Sequence, residues 1–108
     1  MRIENETLCE AIHRAESGLI DADLGGSILK QRVALPGQGR SGGHRVLIGY
    51  RCGARAVFMY GFAKNERENI DEDELVTLRE IAAEWLEMDS ALLKQALAEG
   101  RAEEINCD

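Results

Sequence analysis

Leu8, Ala11, Ile12, Ala15 and Leu19 recur at the three- and four-residue intervals of a single helical stripe. That spacing predicts an amphipathic helix over residues 7–19. Asn5 or Thr7 is suited to cap its start, Glu10 completes a capping box with Thr7, and Gly18 lies near its end. Residues 21–27 (DADLGGS) are turn chemistry. The period then shortens. Residues 28–35 read as a strand, 44–50 as a second and 55–62 as a third, with Cys52, Gly53 and Ala54 turning between the last two. Residues 36–43 hold four glycines and the only proline, so they form a loop. Along the third strand, alternation sets Ala56, Phe58, Tyr60 and Phe62 on one face and Arg55, Val57, Met59 and Gly61 on the other.

The helical period returns near Asp71 or Asp73, with Leu75, Leu78, Ile81, Ala82, Trp85 and Leu86 as the buried stripe. The run Asp71-Glu72-Asp73-Glu74 suits the positive end of that helix dipole. Ser90 is placed to cap a shorter helix that Gly100 ends. The tail from Arg101 is expected to be frayed, or a short strand through Ile105. The predicted order is helix, three-strand antiparallel meander, helix, helix. This is an α+β fold, and its 108 residues suit one domain, 1–108, with one core.

Composition narrows the functional classes. A hydrophobic fraction of 44% excludes disorder throughout. No apolar run approaches the ~20 residues of a membrane span and the N-terminus has no apolar leader core, so a cytoplasmic protein is expected. Cys9, Cys52 and Cys107 form no CxxC pair. They are read as reduced thiols, with neither a disulfide framework nor a four-cysteine metal site. His13 and His44 are the only histidines, and no GxSxG, HExxH, P-loop or GxGxxG motif is present. No metal and no cofactor are expected.

The net charge of −7 hides a strong asymmetry. Residues 28–67 carry eight basic side chains and only Glu66 against them, between two acidic flanks. Salt screens charge beyond about 8 Å, so an anion meets this cationic module rather than the total. Lys30 and Arg32 alternate onto one strand face, Arg45 comes from the next strand, Arg40 from the glycine loop, and Lys64 and Arg67 follow the third strand. Such groups can converge on a phosphodiester, where the arginine fork pairs two oxygens at once. An ordinary solvated charged face is the alternative, and composition alone does not separate the two.

The order and spelling of the middle segment do. LKQRVALPGQGRSGGHRVLIGYR followed by FMYGFAKNERENI resembles the RelE/HigB-like toxins of type II toxin–antitoxin systems. The shared pattern is a K/R-x-R strand, a PGxGKSGG-like loop, an Arg-bearing strand, an aromatic strand ending in a K-N-E triplet, and an acidic helix. It covers about residues 8–97. The resemblance implies a RelE/ParE-like α+β fold and an mRNA endoribonuclease acting on the ribosome. It also implies a cognate antitoxin, of helix-turn-helix type, as partner. Family members begin with a strand that this sequence lacks, so an open sheet edge and a homodimer are expected.

By position, the resemblance assigns Lys30, Arg32, Arg40 and Arg45 to phosphate contacts and groups Tyr60, Lys64 and Glu66 at the end of the last strand. RNA cleavage by its own 2′-OH needs a base, charge stabilisation at the phosphoryl oxygens and a proton for the leaving 5′ oxygen. Arg32 and Arg45 are the charge stabilisers in this reading. Lys30, crowded by cations, is the candidate base, with Lys64 beside these three in the catalytic set. Arg40, His44, Tyr60, Glu66 and Arg67 form the RNA-contacting set, Tyr60 by stacking on a base; Phe62 is a second ring of that kind and Phe58 is expected in the core. Two alternatives stand: a non-enzymatic gyrase inhibitor of the ParE branch, and a truncated, inactive relative that only binds an antitoxin.

Overall fold

The computed structural model describes residues 3–34, 43–51, 55–63 and 70–107. In chain order the elements are α1 (Asn5–Glu16), β1 (Ala22–Asp23), β2 (Ile28–Val33), β3 (His44–Arg51), β4 (Arg55–Ala63), α2 (Glu72–Glu87) and α3 (Ser90–Ala98). The strands form one antiparallel sheet in the order β1-β2-β3-β4. The α+β class expected from the sequence is therefore present. The sheet has four strands rather than three, because Ala22 and Asp23, inside the stretch read as a turn, pair with Lys30 and Leu29.

The sheet is the middle layer. On one face Ile28, Leu47 and Phe62 pack against Leu75 and Ala82 of α2. On the other, Val33, Val46 and Ile48 pack against Ala11 of α1. Gly49 permits the close approach of α2: a Cβ there would sit 3.2 Å from the Cβ of Ala82. Gln31 is fully buried on the α1 face and every polar atom of its amide group works. Its Nε2 donates to the carbonyls of Ala11 and Leu19, both at 3.0 Å, and its Oε1 accepts the Asp21 amide at 2.9 Å. This one side chain joins α1, the turn after it and β2, and its loss would leave buried backbone groups unsatisfied.

Several boundaries differ from the sequence expectation, each for a local reason. The first helix starts at Asn5, before Thr7, and stops at Glu16. Gly18 adopts φ 81°, and the amides of Gly18 and Leu19 close back on the carbonyls of Ala15 and Arg14. That is a Schellman closure, and it leaves Leu19 outside the helix and 62% exposed rather than in the buried stripe. Ile81 of the predicted α2 stripe is also exposed. Asp71 caps α2, its amide donating to Glu74 Oε1 at 3.3 Å. Asp89, not Ser90, caps α3, its Oδ1 accepting the Leu92 amide at 2.8 Å. The tail forms no strand among the described residues.

A register shift between Leu47 and Ile48 changes the faces of β4. Tyr60 lies opposite Leu47 but Phe58 lies opposite Ile48, so Met59 has no partner of its own. The single-face set Ala56, Phe58, Tyr60 and Phe62 is thereby split. Phe58 and Ala56 pack on the α1 side, whereas Phe62 packs with the α2 cluster.

The cysteine expectation is overturned. Cys9 of α1 and Cys107 of the tail are joined by a disulfide across 98 positions of sequence. The fold brings their Cα atoms within 5.5 Å, a proximity the sequence spacing does not reveal. Cys52 lies outside the described residues.

Candidate functional site

The antiparallel register assembles the cationic group. Arg32 lies directly opposite Arg45, and Lys30 lies opposite Leu47. Arg45 in turn lies opposite Phe62, and Leu47 opposite Tyr60. Leu47 and Phe62 belong to the α2-side cluster, so Lys30, Arg32, Arg45 and Tyr60 share that face. His44 follows the other parity: it faces Val33 of the α1-side cluster and so falls on the opposite face. The structure thus brings four of the predicted residues together and separates His44 from them. Arg40, Lys64, Glu66 and Arg67 lie outside the described residues.

Two arginines facing each other across a ladder repel, and nothing in β2 or β3 offsets both. Arg32 has partial compensation from Asp21, whose Oδ1 stands 4.0 Å from Arg32 Nε and whose Oδ2 accepts the Arg32 amide at 2.5 Å. Among the described residues Arg45 has none of this kind. Its Nη1 is buried and has no hydrogen-bond partner among the described residues. An unpaired buried guanidinium nitrogen is costly, and an anion seated between the two arginines would relieve both the desolvation and the repulsion.

Sequence reasoning missed the scaffold behind Arg32. Arg14 of α1, with a side chain only 11% exposed, pairs with Glu10 at 2.5 Å and with Asp21 at 3.7 Å. Its Nη2 also donates to the Arg32 carbonyl. Asp21 therefore sits between Arg14 and Arg32, and it holds both the backbone and the head group of the latter. Asp21 read as one of several turn residues, and nothing in its neighbours marked it as a tertiary contact.

Not every cation of the middle segment belongs to this face's chemistry. Arg55 donates from Nη1 to the carbonyls of Trp85 and Met88, at 2.6 and 2.7 Å. The last turn of α2 carries no basic residue, and Arg55 supplies that charge from β4. Phe62 is 2% exposed and hence unavailable for stacking, whereas Tyr60 is 40% exposed with its ring 5.8 Å from that of Phe62. Among the described residues no cluster of His, Cys, Asp and Glu is arranged to hold a metal ion. None of the described helices is long and apolar enough to cross a membrane.

A comparison with protein families matches residues 1–105 to the model described as RelE toxin of the RelE/RelB toxin–antitoxin system. No curated protein and no solved structure shows a significant match to the chain.

Proposed function

The chain belongs to the RelE toxin family of toxin–antitoxin systems, and from that premise we propose that it is an mRNA endoribonuclease of the ribosomal A site. The observation that carries this reading is the facing pair Arg32 and Arg45, with Arg45 Nη1 buried and unpartnered among the described residues. A phosphodiester suits such a pair: it offers two non-bridging oxygens, and these gain charge in its trigonal-bipyramidal transition state, which guanidinium groups stabilise. Lys30, on the same face as the pair, is assigned the removal of the 2′-OH proton. Tyr60 stacks on a neighbouring base. Lys64 is kept in the catalytic set and Arg40 and Glu66 in the RNA-contacting set on the family resemblance alone, and Arg67 joins them as a cation of the same basic segment; His44, on the opposite face of the sheet, takes no part in the phosphate site. A gyrase inhibitor would have no use for facing arginines on its sheet, so the nuclease reading is preferred.

The mechanism has a direct chemical test. RNA carrying a single 2′-deoxynucleotide on the 5′ side of the preferred break should resist cleavage there, while cleavage elsewhere continues. Unchanged cutting at the deoxy position would exclude 2′-OH attack. The partners under this reading are mRNA on the cytoplasmic ribosome and a helix-turn-helix antitoxin. Self-association belongs to the same reading. Among the described residues β4 pairs only with β3, and its run from Ala56 to Ala63 carries no charge. An uncharged open edge invites strand pairing between copies. Sedimentation over a concentration series should show a dimer; a monomer at tens of micromolar would refute it.

A further inference from the structure

The disulfide and the cationic face are joined by one helix. Cys9 stands in the first half of α1 and Arg14 in its last turn. We propose that the Cys9–Cys107 bond is a redox switch on the cationic face. Closed, it holds α1 against the sheet and sets Arg32 for an anion; open, it lets α1 loosen and Arg32 lose that setting. The regulation rests on the RNA-cleaving reading for its biological role, but the mechanical link from Cys9 to Arg32 does not.

Three observations converge. First, α1 is weakly seated. A helix of 12 residues is marginal on its own, and Ala11 and Ala15 are the buried residues of this one. Alanine buries little apolar area. Leu8 and Ile12 are half-buried, and an open cleft of about 470 Å³ lies among Ile3, Leu8, Val46, Phe58 and Met59. The first half of the helix therefore depends on its covalent tie. Second, the tie is reachable. Cys107 is exposed, in a tail whose residues 102–107 take neither helix nor strand. Cytosolic disulfides are as a rule transient, catalytic or redox-sensing. Closing the bond takes two electrons and two protons from the Cys9 and Cys107 thiols and passes them to a low-molecular-weight disulfide, which becomes two thiols. A dithiol reverses the exchange by attacking the exposed Cys107 sulfur and releasing Cys9 as its thiolate.

Third, the far end of α1 holds the site. Arg14 Nη2 donates to the Arg32 carbonyl, and Arg14 Nη1 stands 3.7 Å from Asp21. Asp21 Oδ2 accepts the Arg32 amide at 2.5 Å. Both backbone polar groups of Arg32 are thus fixed by the Arg14–Asp21 pair, and these two are positioning residues. Cys9 and Arg14 lie about 7.5 Å apart along the helix axis, so a helix loosened at Cys9 loosens Arg14 as well.

The switch can be tested without relying on cleavage. The native chain is prepared closed with oxidised glutathione and open with dithiothreitol, peptide mapping verifying the Cys9–Cys107 pair, and both forms are held well below their thermal midpoints. The probes are ¹⁵N amide spectra and the affinity for a short 2′-O-methyl oligoribonucleotide, which 2′-OH attack cannot cut. Reduction should move the Arg32 and Asp21 amides, lower hydrogen-exchange protection in α1 and weaken oligonucleotide binding about tenfold, the size of one charge-assisted contact. Cys9→Ser should match the reduced chain and ignore the reductant. Arg14→Gln and Asp21→Asn should bind weakly in both redox states, because the link is already cut; a bond that only stabilised the fold would leave the tenfold redox ratio intact in them. An Arg32 amide unmoved by reduction, a different cysteine pair, or the full redox ratio retained in both variants overturns the proposal. A chain that binds the oligonucleotide equally well in both states keeps the RNA reading and loses the switch. A chain whose Arg32 and Asp21 amides follow the redox state but which binds no oligonucleotide in either state keeps the switch and loses the nuclease reading.

Discussion

Cells expressing the Arg45→Ala chain are expected to keep growing under induction that arrests cells expressing the native protein. Arg45 is the one cation of the shared face with a buried, unpartnered nitrogen among the described residues, directly across from Arg32. Removing a preorganised contact to charge that develops in the transition state costs about 10²–10³ in rate. Because that nitrogen makes no hydrogen bond to the described protein, truncation removes a desolvated donor rather than a structural bond. The variant should therefore fold, with circular dichroism and thermal midpoint close to native. Arg45→Lys should retain partial toxicity, since an ammonium keeps the charge but loses the fork. A folded Arg45→Ala protein that arrests growth as the native one does, at equal expression, would remove Arg45 from the site.

The second large effect concerns the disulfide. The Cys9–Cys107 bond closes 98 positions of sequence, nearly the whole chain. In the loop-entropy picture a ring of about 100 residues is stabilised by about 4.7 kcal/mol, and measured losses on removing a native disulfide run about 2–5 kcal/mol. For a domain of this size that corresponds to a drop of roughly 10–20 °C in thermal midpoint. Reduction of the native chain, Cys9→Ser and Cys107→Ser should each give this drop, and reduction should have no further effect on either variant. A native chain whose midpoint is indifferent to reductant would show that the bond contributes nothing to stability.

How much of this was legible differs from element to element, for physical reasons. α2 announced itself because a capping acid, an acidic first turn and a helical stripe coincide between Asp71 and Leu86. The end of α1 did not, because Leu19 continues the apolar period while Gly18, at φ 81°, has already turned the chain away. The strand with Lys30 and Arg32 was readable from alternation, and so was their common face. That Arg45 joins them depends on the β2–β3 register, which the intervening loop does not encode locally. The bulge at Met59 was invisible, since aromatic and apolar residues alternate along β4 in either register, and it alone decides that Phe58 and Tyr60 part company. The Arg14–Asp21–Arg32 contact and the disulfide were equally hidden. Both are made by tertiary packing between segments whose own sequences read as surface helix, turn and tail.

The central claim is that this RelE-family chain cuts messenger RNA through its paired arginines. Mapping transcript 5′ ends across the cell shortly after induction tests it most directly, with the Arg45→Ala chain induced in parallel. New 5′ ends should accumulate within coding sequences for the native chain and be absent for the variant. Growth arrest by the native chain without any new 5′ ends in messenger RNA would contradict it.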